Sequence, residues 1–211
     1  MEKKEQKMRL PKITVDEFFT TQEQRDSDNL EKVIKIPIFK IVDFPNHPFK
    51  VIVNDEMHSM ADSVKQNGVL VPALVRPKED GSYEMIAGHR RKKASELANI
   101  DSIPCIVREL SDDEATIIMV DSNLQREELL PSEKAFAYKM RLEAMKRQAG
   151  RPKNNYVPLA QDFKGKSSRE VLGEEIGESQ DQIRRYIRLT ELIPEILEMV
   201  DDKKIAFRPA V

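Results

Sequence analysis

One stretch constrains this chain more than any other: Tyr83-Glu84-Met85-Ile86-Ala87-Gly88-His89-Arg90-Arg91-Lys92-Lys93-Ala94-Ser95. Residues 83–87 read as a strand, Gly88 breaks it, and a helix pattern follows with four basic side chains in its opening turn. The N-terminus of a helix carries partial positive charge and unpaired N–H groups, so cations there are unfavourable on their own. A polyanion reverses the sign. Free N–H groups, a glycine that allows close backbone approach, and guanidiniums together make a phosphate cradle. The competing reading of the same residues is a solvated basic helix face after an ordinary strand–helix turn.

The chain of 211 residues fits one large or two small domains, and its net charge of −2 supplies no global basic field. Any nucleic-acid contact must therefore come from a local patch. The single cysteine, Cys105, excludes an intramolecular disulfide framework and sits in an apolar run, as a small core residue would. No run approaches the ~18 apolar residues of a membrane helix and no signal peptide opens the chain, which points to a cytoplasmic protein.

Residues 1–35 are charged, with an apolar patch only at Val15–Phe19, and read as a flexible arm with room for one short helix. Ile36–Val42 reads as a strand that Pro37 pushes to an edge. Pro45–Phe49 is a turn. Asn54 is a good N-cap for a helix with Met57, Met60, Ala61 and Val64 inward, and Gly68 is its natural end. His47 and His58 lack metal-spaced partners and read as turn or surface residues. Val69–Arg76 and Tyr83–Ala87 form a hairpin through Asp80-Gly81. Ile103–Val107 is the next strand.

Ser111-x-x-Glu114 is a capping box opening a helix with Ala115, Ile118, Met119 and Leu124 inward. Pro131 starts another helix, with Ala135, Tyr138, Leu142 and Met145 inward. Residues 150–166 read as a loop. Ser168 is the expected cap of a helix to Ile176. Gly177 then turns the chain, and Ser179 caps a helix from Gln180 to Leu192. Helix, short glycine turn, helix is the helix-turn-helix layout. Its core would be Val171, Leu172, Ile176, Ile183, Ile187 and Leu189. Pro194 opens a further helix.

Gly88–Ala94, Ile103–Arg108, Asn123-Leu124-Gln125-Arg126-Glu127 and the helix-turn-helix at 168–191, in that order, resemble the ParB/RepB-type partition family. The resemblance covers residues 38 to 211. It implies an α+β fold: an arm (1–35), a small ParB/sulfiredoxin-like α/β domain (36–126) and an all-α helix-turn-helix domain (127–211). Members bind CTP with Mg²⁺ through a Gly-Glu-Arg-Arg and a Glu-Asn-Leu-Gln-Arg motif. That assigns nucleotide contacts to Gly88, His89, Arg90, Arg91, Ser122, Asn123 and Arg126.

Three departures stand out. His89 and Ser122 replace the two family glutamates linked to Mg²⁺ and hydrolysis, and Phe49 aligns with a phosphate-contacting arginine. Hard Mg²⁺ prefers oxygen ligands, so at most a weak CTPase is expected. Asp121 would project about 100° from Ser122 on an ideal helix and is a poor substitute.

For DNA, Ser179, Gln180 and Gln182 lie where residues reach base edges, and Arg184, Arg185 and Arg188 suit phosphates or guanine. The bland alternative is a solvated arginine face on a structural bundle. The family works as a homodimer through a C-terminal segment. The chain ends directly after the helix-turn-helix region, which leaves open whether such a segment has been removed. The resemblance also implies a ParA-like ATPase as partner of the arm, although no motif there carries the contact.

The expectation is a cytoplasmic, nucleoid- or plasmid-associated protein that binds a specific DNA site and uses CTP as a clamp switch. Alternatives are a ParB-like transcriptional regulator without nucleotide, or a nucleotide-using enzyme similar to sulfiredoxin or a small-molecule kinase. The sulfiredoxin motif Gly-Cys-His-Arg lacks its cysteine at Gly88-His89-Arg90. A ParB-like nuclease would need a metal–carboxylate cluster, which the sequence does not present.

Overall fold

A computed structural model describes residues 32–126, 128–149 and 167–211; residues 1–31 of the expected arm and the loop expected at 150–166 lie outside them. Five strands make one mixed sheet: β1 (Val33–Pro37), β2 (Ile41–Val42), β3 (Ala73–Pro77), β4 (Tyr83–Ala87) and β5 (Ser102–Val107), in the order β1-β5-β3-β4-β2. β1 runs antiparallel to β5, β3 parallel to β5 and antiparallel to β4, and β2 parallel to β4.

The strand expected over Ile36–Val42 is two strands on opposite edges of this sheet. Pro37 cannot donate to a ladder. Ile38–Lys40 instead form a 3₁₀ turn that carries the chain from one edge to the other. β1 also begins at Val33, so three residues assigned to the arm on composition are strand.

The helices divide between the sheet's faces. α1 (Asp55–Asn67) and α2 (His89–Leu97) pack on one side, through Met57, Ala61, Val64 and Ala94. The alternation of β3 and β4 sends Ala73, Val75 and Met85 to that side and Leu74, Glu84 and Ile86 to the other. On the second side lie α3 (Asp112–Leu124) and α4 (Pro131–Ala149), with Met119, Val120 and Ala137 against Ile86 and Phe49. Arg76 ties the two layers together: its Nε donates to the buried Glu84 at 2.7 Å and its Nη1 reaches Asp112 at 2.7 Å.

The caps follow local chemistry. Asn54 accepts the Met57 N–H, Gly68 ends α1 at φ 72°, and Ser111 and Glu114 complete a capping box. Downstream come α5 (Ser168–Ile176), α6 (Gln180–Leu189), α7 (Pro194–Asp201) and the short α8 (Phe207–Ala210). The cap of α5 is Ser167, not Ser168: Ser167 and Glu170 form a second capping box, and Ser168 is already helical. α6 stops at Leu189 because Thr190–Leu192 turn back on its last carbonyls. No described helix is long and apolar enough to cross a membrane.

Candidate functional site

The glycine between β4 and α2 is required by its surroundings. Gly88 sits at φ 117°, and an added Cβ would lie 2.9 Å from the Ala73 Cβ. Only glycine lets the strand turn into the helix this close to β3. As N-cap it offers no side chain, so the first N–H groups of α2 have no side-chain acceptor. Amides left this way can receive an anion.

The four basic residues that follow have separate roles. Arg91 turns inward, and its Nη1 donates to the carbonyls of Val71 at 2.7 Å and Pro72 at 2.5 Å. Burial lowers its pKa. Arg91 therefore clips the segment before β3 to the helix, a structural task. Lys92 pairs with Asp43 at 2.7 Å and Lys93 with Glu96 at 3.1 Å. Arg90 makes only a long contact to the exposed Glu56, at 3.3 Å, and its Nε is buried without a partner. Among the described residues the basic start of α2 is thus mostly matched within the fold, and Arg90 is the least engaged of its cations.

Arg126 meets this place from the far side. It follows α3, its guanidinium carbon lies 5.8 Å from the centre of the Phe49 ring, and burial followed by repulsion from Arg90 lowers its pKa. The repulsion between these two guanidiniums would be relieved by an anion. Asn123 is buried and turned back, its Nδ2 donating to the Met119 carbonyl at 2.8 Å. Ser122 is exposed, and its hydroxyl donates to the same carbonyl at 2.9 Å. Asp121 is committed to Arg141, Nε to Oδ1 at 2.6 Å, so it does not replace the carboxylate lost at Ser122.

His89 is buried beside these groups and lies against His47, with ring centres 3.9 Å apart and the planes tilted by 42°. Burial first, then His47, pushes the His89 pKa down to about 3. Burial also lowers His47. Among the described residues four buried side-chain polar atoms lack a partner. Three of them, His47 Nε2, His89 Nε2 and Arg90 Nε, belong to this one site. The sequence reading missed His47, because 42 residues separate it from His89 and nothing local marks the pair. Among the described residues no three His, Cys, Asp or Glu side chains are grouped to hold a metal ion. Cys105 is buried and its thiol is pushed up to about 11, which leaves it inert.

The second candidate site lies on α6. Its inner face, Ile183 and Leu189, is fully buried, with Ile183 packing among Tyr138, Leu142 and Leu172. Its outer face carries Arg184, Arg185 and Arg188, all exposed and without an ion pair to another described residue. Arg184 and Arg188 are one helical turn apart and share a side with Gln180. Gln180 is exposed and Gln182 half-buried, while the Ser179 hydroxyl accepts the Gln182 N–H at 3.2 Å and so serves first as a cap. The glycine turn before α6 is held by Glu178 N–H to the Gly173 carbonyl at 3.0 Å and by Lys134 to Glu178 at 3.1 Å.

Comparison with known proteins finds a family match for part of this chain. Residues 22–124 match the ParB N-terminal domain. The chain is 32% identical over 173 residues to the chromosome-partitioning protein Spo0J of Thermus thermophilus, covering 82% of this chain and 56% of that protein. It is 34% identical over 185 residues to the nucleoid occlusion protein of Listeria innocua, covering 87% and 57%. The chain thus spans little more than half the length of these relatives.

Among solved structures it is similar to the C-terminally truncated chromosome-partitioning protein ParB of Caulobacter crescentus complexed to the centromeric parS site. That likeness has a TM-score of 0.53 and 26% identity, over 84% of this chain and 82% of that one. A Pnob8-like ParB-N domain shares the fold at TM-score 0.53 and 16% identity, over 85% and 77%.

Proposed function

The chain belongs to the ParB N-terminal domain family through residues 22–124, and on that premise we propose that it is a ParB-like DNA-binding protein that segregates or maintains a DNA element. The observation that carries the reading is the exposed Arg184, Arg185 and Arg188 face of α6, opposite a face fixed in the core by Ile183 and Leu189. Arginines placed this way neutralise phosphates, and Gln180 and Gln182 near the helix start reach base edges.

The Gly88 turn, Arg90 and Arg126 take the triphosphate of CTP. Two guanidiniums and a set of uncapped amides suit that charge. CTP acts as the switch of a homodimeric clamp, with a ParA-like ATPase as a further partner and the nucleoid or a plasmid as its location. Turnover of CTP is slow, because His89 and Ser122 offer no carboxylate to hold Mg²⁺ or orient water.

The test is fluorescence anisotropy with duplexes selected from a random pool, at several salt concentrations, with and without each of the four nucleoside triphosphates. We expect a preferred duplex, CTP favoured over the others, and a salt slope that shrinks by about 0.9 for each phosphate-binding arginine replaced by alanine. Unchanged affinity in the folded triple Arg→Ala protein would remove the DNA reading. Equal or absent binding of all four nucleotides would remove the CTP reading.

A further inference from the structure

The His47–His89 pair is unlike an ordinary buried histidine contact. His47 Nδ1 donates to the Phe49 carbonyl at 2.8 Å, so the Nε2 of the neutral ring is a bare acceptor. No described group donates to it, and the Nε2 of His89 is equally alone. Burying such an atom unpaired is costly, and two of them at one site beside a third on Arg90 point to a ligand that pairs them. The surroundings say what partner fits. The charged groups that act on the rings are Lys92 of α2 on His89, Glu133 of α4 on His47, and Arg126 after α3 and Asp43 after β2 on both, while Arg90 acts on Arg126.

The anions of this set are already engaged. Asp43 pairs with Lys92, and Glu133 accepts the N–H groups of Lys50 at 2.8 Å and Leu130 at 3.0 Å. Burial first keeps both imidazoles neutral; Arg126 adds to that at each ring and Lys92 at His89, while Asp43 and Glu133 oppose it. A polyanion laid between Arg90 and Arg126 offsets those cations and adds negative charge beside the rings, which favours the protonated imidazole. Once protonated, Nε2 becomes a donor, which is what a phosphate oxygen requires.

Resting on the reading of the Gly88 turn as a phosphate cradle, we infer that His47 and His89 form a proton-linked contact for polyphosphate, neutral in the empty site and taking up a proton when a triphosphate binds. The partner is the triphosphate group, whether from a nucleoside triphosphate or an inorganic chain. Reciprocity then requires that lowering the pH tighten the binding as much as binding draws in the proton. One proton taken up corresponds to about tenfold in affinity per pH unit.

Calorimetry with CTP, and separately with inorganic triphosphate, in two buffers of different ionisation heat measures the proton count directly between pH 8 and 6. We expect net uptake approaching one proton near pH 7. His47→Gln and His89→Gln should each remove it, while the ligand's own titration cancels in the difference. In the unaltered chain, the Cε1–H resonances of the pair should together move by the equivalent of one imidazolium when ligand is added.

CTP binding with no proton uptake and unmoved histidine resonances would overturn the inference and leave the cradle standing. No binding of either ligand at any pH would overturn both. Uptake with CTP but not with inorganic triphosphate would place the contact on the nucleoside and overturn the phosphate assignment.

Discussion

Gly173 lies inside α5, where helix propensity argues for replacing it. Alanine is favoured over glycine by ~0.8–1.0 kcal/mol in a helix interior, so the sequence alone predicts that Gly173→Ala stabilises the protein. The structure reverses the sign. A Cβ at this position would lie 2.6 Å from the Glu178 carbonyl oxygen, a backbone atom that cannot rotate away. The same turn is closed by the Glu178 N–H bond to the Gly173 carbonyl at 3.0 Å, so relief of the clash stretches that bond.

Over-packing costs ~1–3 kcal/mol and a weakened hydrogen bond ~0.5–1.5 kcal/mol. Against a gain near 1 kcal/mol, the net loss is about 2 kcal/mol. At ~2–4 °C per kcal/mol for a chain of this size, Tm should fall by about 4–8 °C in a circular-dichroism melt. DNA affinity should fall with it, because the turn aims α6, while CTP binding at the Gly88 turn should be retained. An unchanged or raised Tm would refute the reasoning and return Gly173 to an ordinary helix position.

Arg90 and Arg91 should separate by assay. Arg90→Ala should leave Tm nearly unchanged, since its ion pair is half-exposed and long, yet weaken CTP binding about tenfold or more. Arg91→Ala should lower stability by about 2 kcal/mol in a denaturant titration, because two backbone carbonyls lose a charged donor. The His89 pKa, held near 3 against an ordinary 6.5, means that the unfolded chain takes up a proton that the fold refuses between those values. Stability from this residue is complete above pH 6.5 and falls below it, by about 2 kcal/mol at pH 5, and His89→Gln should flatten that part of the Tm-against-pH curve. A chain starting at Ile36 should melt several degrees below one starting at Val33, because Val33, Ile34 and Lys35 pair with Ile106, Cys105 and Pro104.

Local chemistry made many elements legible in the sequence. Asn54, Gly68, Asp80-Gly81 and the Ser111–Glu114 box act within three or four residues, and each forms where the sequence places it. The Ser167–Glu170 box was equally local, and the cap was placed one residue late only because Ser168 adjoins it. The hydrophobic periods of α1, α3 and α4 and the β3–β4 hairpin are repeats that a linear reading can count.

What tertiary structure alone decided involves partners far apart in the chain. Pro37 marks a disruption, but only the assembled sheet shows that the chain crosses from one edge to the other there. Arg91 reads as a phosphate ligand in sequence, and only the fold shows that its Nη1 also holds the carbonyls of Val71 and Pro72. Asp121 resembles a spare carboxylate until Arg141 claims it from the next helix. His47 joins His89 because the Pro45–Phe49 turn folds against α2. The types of these residues are local facts; which of them are consumed by the fold and which remain for a ligand depends on distances set by packing, and no spacing in the sequence encodes those distances.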